Sequence, residues 1–177
     1  MEKKKIIHVI TGDGKGKTTA SLGLALRAIG AGKKVKIIQF MKTATFSEHE
    51  SIKKYNLPIE VECFGIGFYK ILGDKHTEAE HKDSCHKALT AAKTAIDSNK
   101  YDLIILDEIN VAIGFHLIKV NEVLELINTR TKKNMDIVLT GRRAHSKIKK
   151  IADLVSEVKN IKNYFDKGID ARKGIEF

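Results

Sequence analysis

Apolar residues fall into short blocks along the chain, and the blocks are of two kinds. IIHVI (Ile6–Ile10), VKIIQF (Val35–Phe40), PIEVECF (58–64), DLIILDE (102–108), MDIVLTG (135–141) and DLVSEVK (153–159) are compact runs rich in isoleucine, valine and leucine. Runs of this length suit strands buried in a sheet. Between them, apolar positions recur at helical spacing. Leu22, Leu24, Ala25, Leu26 and Ala28 form one stripe, and Ala79, Ala88, Leu89, Ala92, Ala95 and Ile96 form another within Glu78–Asn99. Shorter helices are expected over 120–128 (VNEVLELIN) and 144–152 (AHSKIKKIA). Residues 41–57 show neither period and read as an irregular connection. The alternation predicts repeated βα units, hence an α/β fold with a mostly parallel sheet and helices on both faces. Such sheets take their ligands beyond the carboxyl ends of the strands, so polar residues at those ends matter most.

The chain has 177 residues, the size of a single domain with a full core, and one domain over 1–177 is expected. No run is long enough to cross a bilayer, no signal peptide is read, and Cys63 and Cys85 form no CxxC pair. A cytoplasmic protein away from membranes is therefore expected. Lysine and arginine exceed aspartate and glutamate by 32 to 22, giving a net charge of +10. The lysines are scattered, with no basic stripe interleaved with aromatics and no nucleic-acid-binding signature, so nucleic acid is not an expected partner. A small polyanion suits the same field.

TGDGKGKTTAS, from Thr11 to Ser21, supplies a place for one. Glycines let a backbone bend tightly and approach a ligand, and the following helix points its positive end at the same spot. Gly12, Asp13, Gly14, Lys15, Gly16, Lys17, Thr18 and Thr19 thus form a candidate phosphate loop. Lys17 brings the charge and Thr18 a hydroxyl for Mg²⁺. The strict pattern places its first glycine where Thr11 stands, one residue before Gly12. Asp107 and Glu108 follow four apolar residues, a Walker B-like arrangement in which a carboxylate at a neighbouring strand's end completes the Mg²⁺ shell. TGRRAH (140–145) closes the next strand. There Arg142 offers a fork of donors for an anion, while Arg143 reads as a solvated turn residue. His81 and Cys85 share a helix face, but no second ligand pair follows. Cys85 reads as a packed apolar residue, and His76, His81 and His86 as surface residues. GIGFYK (Gly65–Lys70) sets two glycines and two aromatics in a loop, the kind of segment that carries function.

Taken together, these stretches resemble the ATP:corrinoid adenosyltransferases of the cobalamin pathway, in their phosphate-loop branch. TGDGKGKTTASLGLALRAIGAGKKVKIIQFMK is similar to that family's opening, including Thr11 in place of the first glycine. LDEI, VLTGRRAH and FDKGIDARKGIEF resemble its later motifs, in the same order and near full length. The resemblance implies a RecA-like phosphate-loop fold. It also implies transfer of the 5′-deoxyadenosyl group of ATP to Co(I) of a reduced corrinoid, with triphosphate released, in cobalamin biosynthesis or salvage. The implied substrates are cob(I)alamin or cob(I)yrinic acid a,c-diamide. Carried over by position, Gly12–Thr19 and Arg142 would hold ATP, and Thr18, Glu108 and Asp107 would hold Mg²⁺. Lys17 and Glu108 would be catalytic, and Phe68 and Tyr69 would face the corrinoid. A homodimer and a flavoprotein-like electron donor are implied as well. The family's lid reads G-F-x-W, whereas this chain reads Gly67-Phe68-Tyr69-Lys70 and has no tryptophan. Two other readings fit the loop alone: an ATPase or kinase acting at the γ-phosphate, and a non-catalytic carrier of nucleotide or corrinoid.

Overall fold

In the computed structural model, residues 5–43, 46–67, 69–70, 74–129 and 134–177 are described. In chain order the elements are β1 (Ile7–Thr11), α1 (Lys17–Gly30), β2 (Val35–Gln39), α2 (Ser47–Lys54), β3 (Ile59–Cys63) and α3 (Glu78–Asp97). Then come β4 (Leu103–Asp107), α4 (Ile109–Gly114), α5 (Val120–Asn128), β5 (Asp136–Thr140), α6 (Ser146–Ile151) and β6 (Leu154–Glu157). A single 3-10 turn, Phe165–Lys167, follows. The strands form one sheet in the order β3-β2-β4-β5-β1-β6, and every pairing is parallel.

Each inner strand is apolar on both faces because helices cover both. Ile38, Ile104, Leu106, Ile137 and Leu139 pack against α3, α4, α5 and α6 through Ala92, Ile109, Leu126 and Ile148. On the other face Ile10, Val35, Ile37, Ile105 and Val138 pack against Ala25 and Ala28 of α1. Alternate residues of one strand thus serve two cores, which explains why these segments read as continuous apolar runs. α3 begins where a capping box fixes it: Thr77 accepts from the Glu80 amide, and the Glu80 carboxylate accepts from the Thr77 amide. α1 has no side-chain cap; it starts behind Gly16, whose φ of 120° only glycine adopts readily.

Two helices were not foreseen. α2 (SEHESIKK) buries no residue fully, so it has no apolar stripe to betray it. α4 (INVAIG) has six residues, too few to show a helical period, and only Asp107 and Glu108 mark the break between it and the apolar residues of β4. The break is conformational: Glu108 adopts the left-handed region, φ 62°, and turns the chain from β4 into α4. A side chain with φ in that range is uncommon and tends to occur at functional sites.

The order of strands also corrects one expectation. β4, which carries Asp107, is not the neighbour of β1, which carries the phosphate loop; β5 lies between them. Thr140, the last residue of β5, therefore sits between loop and carboxylate.

Candidate nucleotide site

The loop after β1 is held from two sides by backbone. The amide of Gly14 donates to the carbonyl of Val158 at 2.8 Å, and the amide of Val158 donates to the carbonyl of Thr11 at 2.8 Å. A Cβ on Gly12 would stand 2.4 Å from the Val158 oxygen, and one on Gly14 would stand 2.6 Å from the Lys159 oxygen. These two glycines thus serve a close approach of the chain to itself. Only Gly16 meets the simpler expectation of an open, bare turn, since nothing lies within 4 Å of its missing Cβ. Thr11, which stands in the place of the pattern's first glycine, is nearly buried. Its hydroxyl accepts from the Ala144 amide at 3.1 Å and so fastens the phosphate loop to the TGRRAH turn.

Lys17 folds back onto this loop. Its Nζ donates to the Gly14 carbonyl at 2.7 Å, and the residue is only 6% exposed. Burial holds the ammonium below the ordinary lysine range, while the Glu108 charge opposes that fall. Asp13, Lys15 and Thr19 lie on the exposed side of the loop and first helical turn. Lys15 is 3.8 Å from Glu176 of the carboxyl-terminal segment.

Asp107 is the centre of the polar end of the sheet, and it is fully buried. Four donors surround its carboxylate. The hydroxyls of Thr18 (3.0 Å) and Thr140 (2.6 Å) reach Oδ1, and Gln39 Nε2 (3.1 Å) and Lys42 Nζ (3.1 Å) reach Oδ2. Thr140 also accepts from the Glu108 amide at 2.9 Å, which fixes the left-handed turn. Glu108 is pushed above the usual carboxylate range, first by burial and then by the Asp107 charge, with Lys42, Lys17 and Arg142 pulling the other way. Arg142 is exposed, close enough for its charge to act on both Lys17 and Glu108. Thr18, Lys17, Asp107, Glu108 and Arg142, named from sequence, are thus brought together.

Three residues of this cluster carried no sequence-derived role: Gln39, Lys42 and Thr140. Gln39 and Asp107 pair directly in the sheet register. Gln39 Oε1 accepts from His49 Nε2 at 2.6 Å and from the Cys63 thiol at 3.1 Å. Burial and the Glu48 charge push that thiol up to about 11. The signal available beforehand was positional, since each of the three stands at or just past the carboxyl end of a strand.

Of the two lid residues, only Tyr69 is described, and its ring lies differently from expectation. Phe68 lies outside the described residues. Tyr69 is 5% exposed and faces inward: its ring meets His81 and Phe115 edge-on at 4.9 and 5.2 Å, and its hydroxyl donates to Glu78 at 2.9 Å. Tyr69 is thus packed in the core, because its ring finds an apolar wall and its hydroxyl a carboxylate. His81 is not on the surface either; it is 3% exposed and bonded to Asp74 at 3.2 Å. His76 and His86 are exposed, as expected. Cys85 is buried, and among the described residues no cluster of His, Cys, Asp and Glu could hold a metal by itself. An open groove of about 310 Å³ lies away from the loop, lined by Ile6, Leu24, Ala28 and Leu154 among others. It touches none of Lys17, Thr18, Asp107, Glu108 and Arg142. No helix among the described residues is long and apolar enough to cross a membrane.

An all-parallel sheet with a glycine-rich loop, a buried lysine and an acidic strand end defines the phosphate-loop class of nucleotide-binding proteins. Comparison with known proteins narrows the class. A sequence model of the ATP:corrinoid adenosyltransferases BtuR/CobO/CobP matches residues 3–177. The corrinoid adenosyltransferase of Escherichia coli K12 is 32% identical over 177 residues, 99% of this chain and 87% of that protein. The corrinoid adenosyltransferase CobA of Salmonella typhimurium gives the same identity and coverage. One from Sinorhizobium is 35% identical over 178 residues, covering 99% of this chain and 82% of its own length. Among solved structures, the flagellar accessory protein FlaH of Methanocaldococcus jannaschii shares the fold, with a TM-score of 0.59 at 12% identity, covering 89% of this chain and 72% of that one. The chain belongs to the ATP:corrinoid adenosyltransferase family, and its activity is the ATP-dependent adenosylation of a corrinoid.

Proposed function

We propose that residues 1–177 act as one catalytic domain in which the loop Gly12–Thr19 and Arg142 hold the triphosphate of ATP, and Thr18, Asp107 and Glu108 hold Mg²⁺. The observation that carries this reading is the gathering of Lys17, Thr18, Asp107, Glu108 and Arg142 at the carboxyl ends of β1, β4 and β5. The donor set fits the ion: one hydroxyl and two carboxylates are the hard oxygen ligands that Mg²⁺ takes. When bound, the ion would neutralise charge on the triphosphate.

In the reaction, the electron pair of Co(I) in the corrinoid substrate forms a bond to the 5′ carbon of the ribose. The bond from that carbon to the triphosphate oxygen breaks, and the triphosphate leaves with the bonding pair. No proton moves, so no general base is needed. Lys17 swings from the Gly14 carbonyl to the phosphates and meets the charge that grows on the leaving group, and Arg142 does the same from the β5 side. Glu108, held by its left-handed turn and by Thr140, completes the polar wall. The segment from Gly65 to Lys70 serves the corrinoid, with Phe68 as the residue that acts on that substrate and Tyr69 anchoring the segment from within. The working protein is a cytoplasmic homodimer, supplied with Co(I) by a flavoprotein-like reductant.

The test is incubation with ATP, Mg²⁺ and chemically reduced corrinoid, with cobalamin and cobyrinic acid a,c-diamide run side by side. Loss of the Co(I) spectrum together with release of intact triphosphate is the expected result. Release of ADP and phosphate would instead mark a γ-phosphoryl enzyme, and tight binding of both ligands without turnover a carrier.

A further inference from the structure

The ammonium of Lys42 occupies an unusual position. Lys42 lies just past the end of β2, and its Nζ is 2.8 Å from the Thr18 hydroxyl oxygen and 3.1 Å from Asp107 Oδ2. Those are two of the atoms proposed above to ligate the divalent cation. Glu48 Oε1 stands 3.9 Å away, and the ring of Phe46 lies 5.3 Å beneath the charge. The side chain is 16% exposed, whereas that of Asp107 is 1% exposed. A carboxylate buried so completely is costly without a cation beside it.

We infer that Lys42 is a tethered stand-in for the divalent cation, filling the place between Thr18 and Asp107 until nucleotide and metal enter together and displace it. The inference rests on the reading of Thr18 and Asp107 as metal ligands. An ammonium and a divalent ion cannot share those oxygens at contact distance without strong repulsion. Entry of the metal therefore requires the lysine to leave, and Glu48 offers the displaced charge a resting place. The exchange makes metal binding to the empty protein weak. Metal then arrives with the negative charge of the triphosphate, which tips the balance. Gln39, which keeps its bond to Asp107 throughout, holds the carboxylate oriented while the cation changes.

The experiment uses Mn²⁺ as probe, counted by the electron paramagnetic resonance of the free ion, on the full chain without corrinoid. Lys42→Met and Lys42→Gln are compared with the unmodified protein. Without nucleotide, both variants are expected to bind Mn²⁺ about ten- to a hundredfold more tightly than the unmodified protein, the size of one charge-assisted hydrogen bond. With ATP present the gap should narrow. Melting temperature in chelator should fall for both variants and recover when Mn²⁺ is added. A variant that folds only in the presence of Mn²⁺ supports the exchange in the same way. Unchanged Mn²⁺ affinity, or a loss of stability that Mn²⁺ does not repair, would make Lys42 an ordinary ion-pair partner and overturn the inference. If Mn²⁺ binds the unmodified protein and the variants equally, only the Lys42 assignment fails. If it binds none of them even with ATP, the cation site itself is wrong.

Discussion

The contact between the phosphate loop and the chain beyond β6 is open to a direct test by Gly14→Ala. The added methyl would stand 2.6 Å from the Lys159 oxygen and 2.8 Å from the Val158 oxygen, where ordinary contact begins near 3.4 Å. Both obstacles are backbone, which cannot turn aside as a side chain can. The two segments must therefore part by roughly 0.8 Å. The hydrogen bond from the Gly14 amide to Val158, now 2.8 Å, would then pass beyond useful length. Overpacking costs about 1–3 kcal/mol and the lost bond about 1 kcal/mol, so a destabilisation of about 2–4 kcal/mol is expected. For a chain of this size that lowers the melting temperature by roughly 4–16 °C. ATP affinity should fall at least tenfold, because the loop proposed to hold the phosphates has moved. Gly23→Ala is the control: Gly23 lies in α1 with open space around it, and alanine there should stabilise by about 0.5–1 kcal/mol. Calorimetry on both variants and ATP titration of Gly14→Ala decide the matter. A Gly14→Ala protein with unchanged melting temperature and unchanged ATP affinity would refute the close approach and the account of these glycines.

Lys17→Ala should weaken ATP binding by tenfold or more, since a charge-assisted contact to phosphate is worth about 1.5–3 kcal/mol; isothermal titration with Mg²⁺ present measures it. Glu108→Gln should slow adenosylation while leaving the nucleotide-free fold as stable or more stable at pH 7, because the folded chain no longer buries that charge. The raised pKa of Glu108 means that its cost to the fold develops as pH rises through the ordinary carboxylate range, so the stability gap between the two proteins should shrink below about pH 4, as denaturant melts across pH would reveal. Cys85 is pushed by burial from 9.0 to about 12, so the native chain keeps a proton that the unfolded chain loses between those values. Its contribution therefore makes stability fall as pH rises through that window, and Cys85→Ala should flatten this alkaline limb without altering the slope near pH 7.

β1 to β5, α1, α3, α5 and α6 were legible because burial on one or two faces leaves a period in the sequence, and β6 was legible from its apolar Leu154 and Val155 although both are exposed. α2 was not, because it buries no residue fully and its residues answer to no core. α4 was hidden because six residues are too few to show a period, and the turn that sets it off from β4 is a backbone angle at Glu108 that composition does not record. In the site, Lys17, Thr18, Asp107, Glu108 and Arg142 could be picked out by residue type and motif spacing. Thr140, Gln39 and Lys42 could not, because their importance depends on strand order. Only when β5 is set between β1 and β4, and β2 beside β4, do a threonine from one strand end and a glutamine and a lysine from another converge on one carboxylate. Tyr69 shows the converse: an aromatic in a glycine-flanked loop suggests a lid, but this ring finds its partners in His81, Phe115 and Glu78.

The place of β1 in the sheet has a consequence for how the molecule comes into being. β1 is made early in the chain, yet both of its neighbours, β5 and β6, are made late, and Ile7 is bonded to Asp153 across 146 positions. The phosphate loop gets its backing from Val158 and Lys159. During synthesis the loop sequence therefore emerges long before anything can hold it in shape. A growing chain can pair β2, β3 and β4 first, since these are adjacent in the sheet and close in sequence. β1 can join the sheet only once β5 has been made, and β6, the last strand to arrive, then docks on the outer side of β1 and brings Val158 and Lys159 behind the loop. On the proposal that this loop holds ATP, the nucleotide has no finished pocket to bind before β6 is in place.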